Sequence, residues 1–544
     1  MATAEKLKPP SAKHSKKVLY INGNILTTDQ IFSVVDDLEV EVAVIEAVEQ
    51  RIIASHKLLN KFVQDNRIIY GVNTSLGGFV NWLIPGEFAQ ELQENLISAV
   101  ATNVGPYLDD RIVRASMLAR LNSLARGHSA ISLKNFNVLL KMYNAGIIPC
   151  IPSKGSLGAS GDLGPLACIA LVATGKWKAK YKGEILPGNE ALSRANIKPM
   201  KLSYKEGLSL INGTSAMVGL ASLLVEQTIN LVKTYDAISC LTFESLKVKK
   251  KPFNPIVHRQ KPHPGQQTTA ENIWKLLEDS HMIVDEKEVE KLLQSYQTAK
   301  PTSTDAPIED AYSIRCTPHI MGPIRDTLKT IKSTITNELN SSNDNPLVIC
   351  ESNDVFHNGH FHGQYISMAM DHLSICLTTL SNLSDRRIDR FMDKNHNNGL
   401  PAFLCKDKPG LRLGLMGGQF MATSLTAENR SLCHPVSIQS LTSTGDFQDI
   451  VSLGLVAARR AKELYDNTVY VIAFELMCGA QAAEIRNSKL LSKATKRAFD
   501  CVREIVPFLS TDQCLTDYLE KLAELIKNGK LLKEIESATG KISL

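Results

Sequence analysis

The sequence predicts a mainly α protein: a core bundle of long helices and a mixed N-terminal domain that ends near a small-residue turn. Three observations lead there. From Ser203 onward the apolar pattern is almost wholly helical, with periodic stretches well beyond the usual ~11–12 residues. Before residue 200, short apolar runs alternate with Gly- and Asn-rich turns. Between these regimes stands Gly155-Ser156-Leu157-Gly158-Ala159-Ser160-Gly161-Asp162-Leu163-Gly164-Pro165-Leu166, a small-residue turn followed at once by a helix-start signal.

Taken in order, residues 1–18 are rich in Lys, Pro, Ser and Ala and are expected to form a disordered tail. The N-terminal domain is expected over 19–200, and the bundle with C-terminal helices over 201–544. Val18–Ile21 reads as a strand, and 29–36 and 39–62 as helices. The second helix rests on Val40, Val44, Ile45, Val48 and Ile52 at helical spacing. Tyr70-Gly71-Val72-Asn73-Thr74-Ser75-Leu76-Gly77-Gly78-Phe79 reads as a mobile loop. Helices are expected at 86–102, 109–125 and 131–145. At the turn, Asp162 is expected to cap the next helix, with Pro165 in its first turn. A hairpin is expected over 177–186. Long helices follow at 214–246, 317–339, 365–392, 411–433 and 447–486, with polar Pro-containing loops at 247–267 and 297–308. Long helices without repeats suggest a bundle that also packs between subunits.

The 544 residues are 44% hydrophobic, enough for a large core, and the net charge of +5 is mild. Basic residues cluster at Lys6–Lys17 and Lys247–Lys251 rather than in a stripe, which favours solvated segments over a nucleic-acid surface. Eleven cysteines form no CxxC pair, and Cys168, Cys376 and Cys478 sit among apolar neighbours. Dispersed free thiols and no signal peptide fit a reducing, cytoplasmic location. No apolar run reaches ~18 residues, so no membrane span is expected.

Three chemistries could use the turn at 155–166. A hydrolase elbow needs Gly on both sides of the serine at a spacing of two, and Asp162 occupies the second place. A phosphate-binding loop needs Gly-Lys-Ser/Thr, which is missing. The third is self-cyclisation. The Gly161 nitrogen closes onto the Ala159 carbonyl, and loss of water and of the Ser160 hydroxyl leaves a 4-methylidene-imidazol-5-one, an electrophile. For Ala-Ser-Gly alone a plain turn would remain the better reading.

Gly-Ser-Leu-Gly-Ala-Ser-Gly-Asp-Leu resembles the signature of the aromatic amino acid ammonia-lyases and aminomutases, a family that includes histidine ammonia-lyases. Further blocks resembling that family follow in order over roughly 65–490. The resemblance implies the ammonia-lyase fold, the autocatalytic ring from Ala159, Ser160 and Gly161, and no metal or pyridoxal cofactor. It also implies a homotetramer built on a central helical bundle, with each active site lined by three subunits. The partner is a small aromatic amino acid, not a nucleic acid or membrane.

By the same resemblance Tyr70 is the base for the substrate's β-proton. A phenol is a poor base at pH 7 unless its pKa falls, and the positive end of the helix after Asp162 is expected to lower it. Tyr312 and Arg315 match a second tyrosine and the carboxylate-binding arginine, which a bidentate guanidinium suits. Whether Tyr312 holds Tyr70, donates to substrate or acts as an acid is left open. Asn212 and Asn345 match residues touching the ring and the substrate, and amides can donate to a developing oxyanion without carrying charge. Leu76, Leu163, Leu208, Phe361, Phe420, Phe447 and Gln448 match positions around the substrate.

His357, His360 and His362 crowd together, but with no cysteine nearby a polar lining is favoured over a metal site. The pair that helps choose the aryl group is Ala99-Val100, where histidine and tyrosine enzymes tend to carry a histidine. An imidazole or phenol there would lose a hydrogen bond, about 1–3 kcal/mol, so L-phenylalanine is favoured. Phe447, Thr444 and Met416 depart from plant-type lyases and leave fewer charges near the amine. The expected reaction is elimination of ammonia from L-phenylalanine to trans-cinnamate. The alternative is a 2,3-aminomutase that retains the cinnamate and makes β-phenylalanine, favoured by blocks such as 387–393 and 442–452; Ala159 departs from the threonine expected there. Histidine or tyrosine lyase activity ranks lower.

Overall fold

The computed structural model describes residues 17–297, 300–303 and 308–544. Most of the expected tail, and much of the expected loop at 297–308, lie outside these residues. The chain divides into two compact units. One takes the chain up to Leu223 together with Thr336–Gln364 and Ser440–Leu455; the other comprises Leu224–Ile335, Tyr365–Gln439 and Val456–Leu544.

The first unit is mixed. Val18–Tyr20 is a strand, but its partner corrects the sequence reading: Glu41–Ala43 pairs with it in parallel, and the helix starts only at Glu46. Val40 and Val42 alternate inward as a strand requires and are both buried. Asp110–Leu124 forms a central helix whose residues from Ile112 to Leu124 are all buried, Arg114 and Arg120 included. Leu163–Ala173 is equally enclosed. Ile148–Pro149, Lys178–Tyr181 and Glu184–Pro187 make a three-stranded antiparallel sheet that contains the expected hairpin. An unexpected hairpin, Leu347–Ile349 with Asp354–Phe356, contributes Val348 and Val355 to a core with Leu59, Phe62, Ile69 and Val72. That core anchors the loop leading into Tyr70.

The second unit is built from helices, chiefly along Ser215–Ser245, Thr317–Leu339, Gln364–Met392 and Gly454–Arg486. Its interior is not purely apolar. Glu475 accepts from Tyr235 at 2.9 Å and Thr242 at 2.8 Å, with Arg387 at 3.4 Å. Arg325 pairs with buried Asp236. Buried charges paired and hydrogen-bonded in this way escape the cost of isolation. The polar stretch 247–267 is less irregular than expected: it holds a short helix, Pro255–His258, and the start of another, Pro264–Leu276. Asn254 caps the first, and proline opens both.

Among the described residues two helices, Ser215–Ser245 and Gly454–Arg486, are long enough, and on average apolar enough, to cross a membrane, although neither holds an uninterrupted apolar run of that length. Their apolar windows are 89% and 83% buried inside the protein, as core helices would be. The expected helix start at 447 is also corrected. Helix begins at Gly454, and the preceding residues form a loop in which Ser443 and Gln448 pair. Thr444, Gly445, Asp446 and Leu453 all take positive φ there, which helix excludes.

Candidate active site

The Ala159-Ser160-Gly161 turn is held by a second tight turn, Asn212-Gly213. Gly161 (φ +74°) and Gly213 (φ +140°) lie side by side. A Cβ on Gly161 would come within 2.1 Å of the Gly213 carbonyl oxygen, so only glycine fits. The Asp162 N–H donates to that oxygen at 2.7 Å. Ser160 is gripped at both polar ends. Its carbonyl accepts from Asn212 Nδ2 at 3.0 Å and from the Gly213 N–H at 3.4 Å, and its hydroxyl accepts from Gln448 Nε2 at 2.8 Å.

Asp162 precedes the helix Leu163–Ala173, but its side chain does not cap it. The carboxylate instead accepts from Ser156 Oγ at 2.9 Å and from the Met217 N–H at 2.7 Å, near the start of the next long helix. A cap would have satisfied its own helix only; this arrangement ties the turn to a second element. Complete burial pushes the carboxyl up to about 6, against the pull of those donors.

Tyr70 faces the same cavity. Its hydroxyl accepts from the Gly77 N–H at 3.1 Å, and its ring stacks on Phe447, with centroids 6.4 Å apart and planes 15° apart. Its own N–H donates to His357 Nε2 at 3.1 Å. Burial raises the Tyr70 pKa and the Gly77 donor offsets this only in part. The expected lowering is therefore reversed, because desolvation of the buried phenolate outweighs the Gly77 donor.

The cavity, about 800 Å³, is lined by Tyr70, Ala159, Ser160, Gly161, Asn212 and Asn345. Leu76, Ala99, Val100, Leu163, Leu208, Phe361, Phe447 and Gln448 also line it. The structure thus brings most of the sequence-predicted residues to one place. Three are not brought there within the chain. Phe420 points from the helix Met416–Leu432 with 69% of its surface exposed. Tyr312 is 71% exposed, at the start of a short helix that ends at Arg315. The Arg315 guanidinium stacks on the Tyr312 ring at 4.9 Å and reaches Glu309 at 3.6 Å. All three belong to the second unit, and none is among the cavity's lining residues.

Several contributors escaped the sequence reading. Gln93 accepts from the Leu208 N–H and donates to the Gly71 carbonyl, each at 3.0 Å, so it pins the tyrosine loop to its neighbour. Its burial on an otherwise polar helix leaves no signature in composition. Gly77, Leu96 and Gly213 also contribute; Gly213 alone had a signal, beside Asn212 in Asn-Gly-Thr. Among the described residues no group of three or more His, Cys, Asp and Glu could hold a metal. His360 and His362 bond locally: the His360 N–H donates to Asn358 and the His362 ring meets the Ile450 carbonyl.

Comparison with known proteins agrees with this geometry. The aromatic amino acid lyase family matches residues 26–504. A histidine ammonia-lyase of Natranaerobius thermophilus is 40% identical over 96% of this chain and 100% of its own length. A tyrosine ammonia-lyase of Cupriavidus metallidurans is 41% identical, covering 95% and 98%. The solved phenylalanine aminomutase of Pantoea agglomerans superposes with a TM-score of 0.91 at 56% identity, covering 94% of this chain and 99% of that one. The chain belongs to the aromatic amino acid lyase family, whose members are ammonia-lyases and aminomutases acting on carbon–nitrogen bonds.

Proposed function

We propose that this enzyme acts on L-phenylalanine and eliminates its amino group to give trans-cinnamate. The observation that carries the choice of substrate is the cavity's apolar side: Leu76, Leu96, Ala99, Val100, Leu163 and Leu208 all line it. Ala99 and Val100 offer no partner to a phenol or imidazole, and an orphaned polar group costs about 1–3 kcal/mol.

The turn fits the family's prosthetic group. Gly161 carries no side chain to obstruct closure onto Ala159, Ser160 has a hydroxyl to lose, and the Ser160 carbonyl already takes two donors. The 4-methylidene-imidazol-5-one formed from these residues would supply an electrophilic carbon for the substrate's amine. The chain's own residues do the rest. Asn212 and the Gly213 N–H hold the Ser160 oxygen, where donors stabilise negative charge best when fixed beforehand. Gln448 fixes the Ser160 hydroxyl before it departs. Tyr70, oriented by Gly77 and Phe447, takes the β-proton as phenolate. Phe361 closes the apolar wall. Asn345 holds Asn212, and Arg315 binds the substrate carboxylate. Arg315, Tyr312 and Phe420 reach the cavity from neighbouring copies in a homotetramer, which the exposure of Tyr312 and Phe420 accommodates.

A second reading has its own observation: identity is 56% to the solved phenylalanine aminomutase and 40–41% to the histidine and tyrosine lyases. An aminomutase retains the cinnamate and returns the amine to its β-carbon. Incubation with L-phenylalanine decides the matter. Cinnamate with equal ammonia supports the lyase, β-phenylalanine supports the mutase, and turnover of histidine or tyrosine alone rejects both.

A further inference from the structure

A fully buried ion pair lies behind Asn212. Lys205 and Asp344 have no exposed side-chain surface, and Lys205 Nζ meets Asp344 Oδ2 at 2.6 Å. The ammonium uses its other protons on the Ser129 carbonyl at 3.1 Å and Ser209 Oγ at 3.2 Å. Arg120, equally buried, flanks it, donating to the Ser209 carbonyl and, at 3.4 Å, to Asn343 Oδ1. Asp344 spends its other oxygen on the Asn345 N–H at 2.7 Å. That same N–H donates to Asn212 Oδ1 at 2.9 Å, while Asn212 Nδ2 donates to the Ser160 carbonyl at 3.0 Å. The connection is continuous: ammonium, carboxylate, backbone N–H, carboxamide, Ser160 oxygen.

Two physical points give this chain of bonds a meaning beyond packing. A carboxamide's two ends are nearly equal in shape, so which end faces Ser160 is set only by its partners. The Asn345 N–H can donate only to oxygen, so it turns the Asn212 NH₂ toward Ser160. Second, a buried ion pair is a poor source of stability compared with an apolar pair of equal volume. An arrangement that costs desolvation of both ions and ends on the reacting residue is better explained by orientation.

The geometry points to Lys205 and Asp344 as positioning residues for the reaction: they fix the Asn345 N–H, which fixes the donating end of Asn212 on the Ser160 oxygen. This rests on the reading of Ser160 as the reacting residue. Neither side chain touches substrate in this scheme.

The test is the neutral double variant Lys205→Met/Asp344→Asn, which removes both charges of the pair together and leaves Arg120 as the buried cation of the cluster. Melting temperature, intact mass, kcat and KM for L-phenylalanine are measured. The expected result is a melting temperature close to the parent's, KM unchanged, and kcat per cyclised chain lower by about tenfold or more, the scale seen when a supporting partner of a functional ligand is lost. A purely structural pair would instead leave kcat per cyclised chain at the parent's value, whatever happens to the melting temperature, and that outcome overturns the inference. Should the neutral pair not fold, Asp344→Glu is measured in its place. It keeps the charge balance but moves the carboxylate off the Asn345 N–H; parent kcat there overturns the inference, and a similar loss at unchanged KM supports it. The parent's own mass separates the two levels. No deficit of two waters in the parent removes the reading of Ser160; a deficit with undiminished variant turnover removes only the role of the pair.

Discussion

Ser160 is the residue whose chemistry has no substitute in the cavity. Ser160→Ala is expected to fold, to show the full unmodified mass and to have no measurable turnover; activity in that variant would reject the mechanism. Tyr70 poses a different question, because burial raises its pKa while the proposed role as base calls for its phenolate. With the pKa above the ordinary phenol value, the phenolate fraction rises about tenfold per pH unit across the range from about pH 7 to 9. The pH profile of kcat/KM should climb over that range. Tyr70→Phe should cost about 10²–10⁴ in rate while keeping the mass deficit. A flat profile would remove Tyr70 as the base. Selectivity belongs to the same scale: Ala99→His should raise the ratio of tyrosine to phenylalanine kcat/KM by about tenfold, read by competition between the two substrates.

At the level of elements, the site depends on two glycine turns meeting and on Asp162 joining the turn to the next long helix. A Cβ on Gly213 would come within 2.3 Å of the Asn343 carbonyl oxygen, at a φ that disfavours side chains. Gly213→Ala should therefore keep its helical circular dichroism but lose the mass deficit and turnover together. Asp162 links pH to stability. Its carboxyl lies at about 6 against an ordinary 3.8, so the folded state favours the protonated form. The stability this contributes is complete below about pH 4 and disappears as pH rises through about 6. Relative to Asp162→Asn, the parent should lose about 3 kcal/mol across that window, measured by denaturant unfolding at both ends.

Across the whole molecule, the first unit supplies the Ala159-Ser160-Gly161 turn, Tyr70 and the apolar walls, while Tyr312, Arg315 and Phe420 belong to the second. If neighbouring copies complete each site, mixing Tyr70→Phe with Arg315→Ala chains and reassembling them should restore activity that neither has alone. Sedimentation should give a tetramer, and recovery of no activity from co-assembled chains would refute the shared site.

The sequence by itself determined what depends on neighbours along the chain. Helical spacing located Thr317–Leu339 and Gln364–Met392 because a buried stripe repeats every 3.6 residues regardless of what covers it, whereas Ser215–Ser245 and Gly454–Arg486, buried nearly all round, stood out by the length of their apolar content. Ala159, Ser160, Gly161, Tyr70, Asn212 and Asn345 are legible through their resemblance to the family's blocks, and the fold brings all six to one cavity. Only the tertiary structure decided the rest. The strand at Glu41–Ala43 exists because Val18–Tyr20 lies beside it, which no local pattern records. The loop before Gly454 overrides an apolar run through backbone angles set by its surroundings. The direction of the Tyr70 pKa follows from its burial in the folded chain, since desolvation is a property of the space around a group. The buried tie to Ser160 likewise adds two residues without a signal in the sequence, Lys205 and Asp344, which join Asn345, Asn212 and Ser160 in one hydrogen-bonded line only when folded.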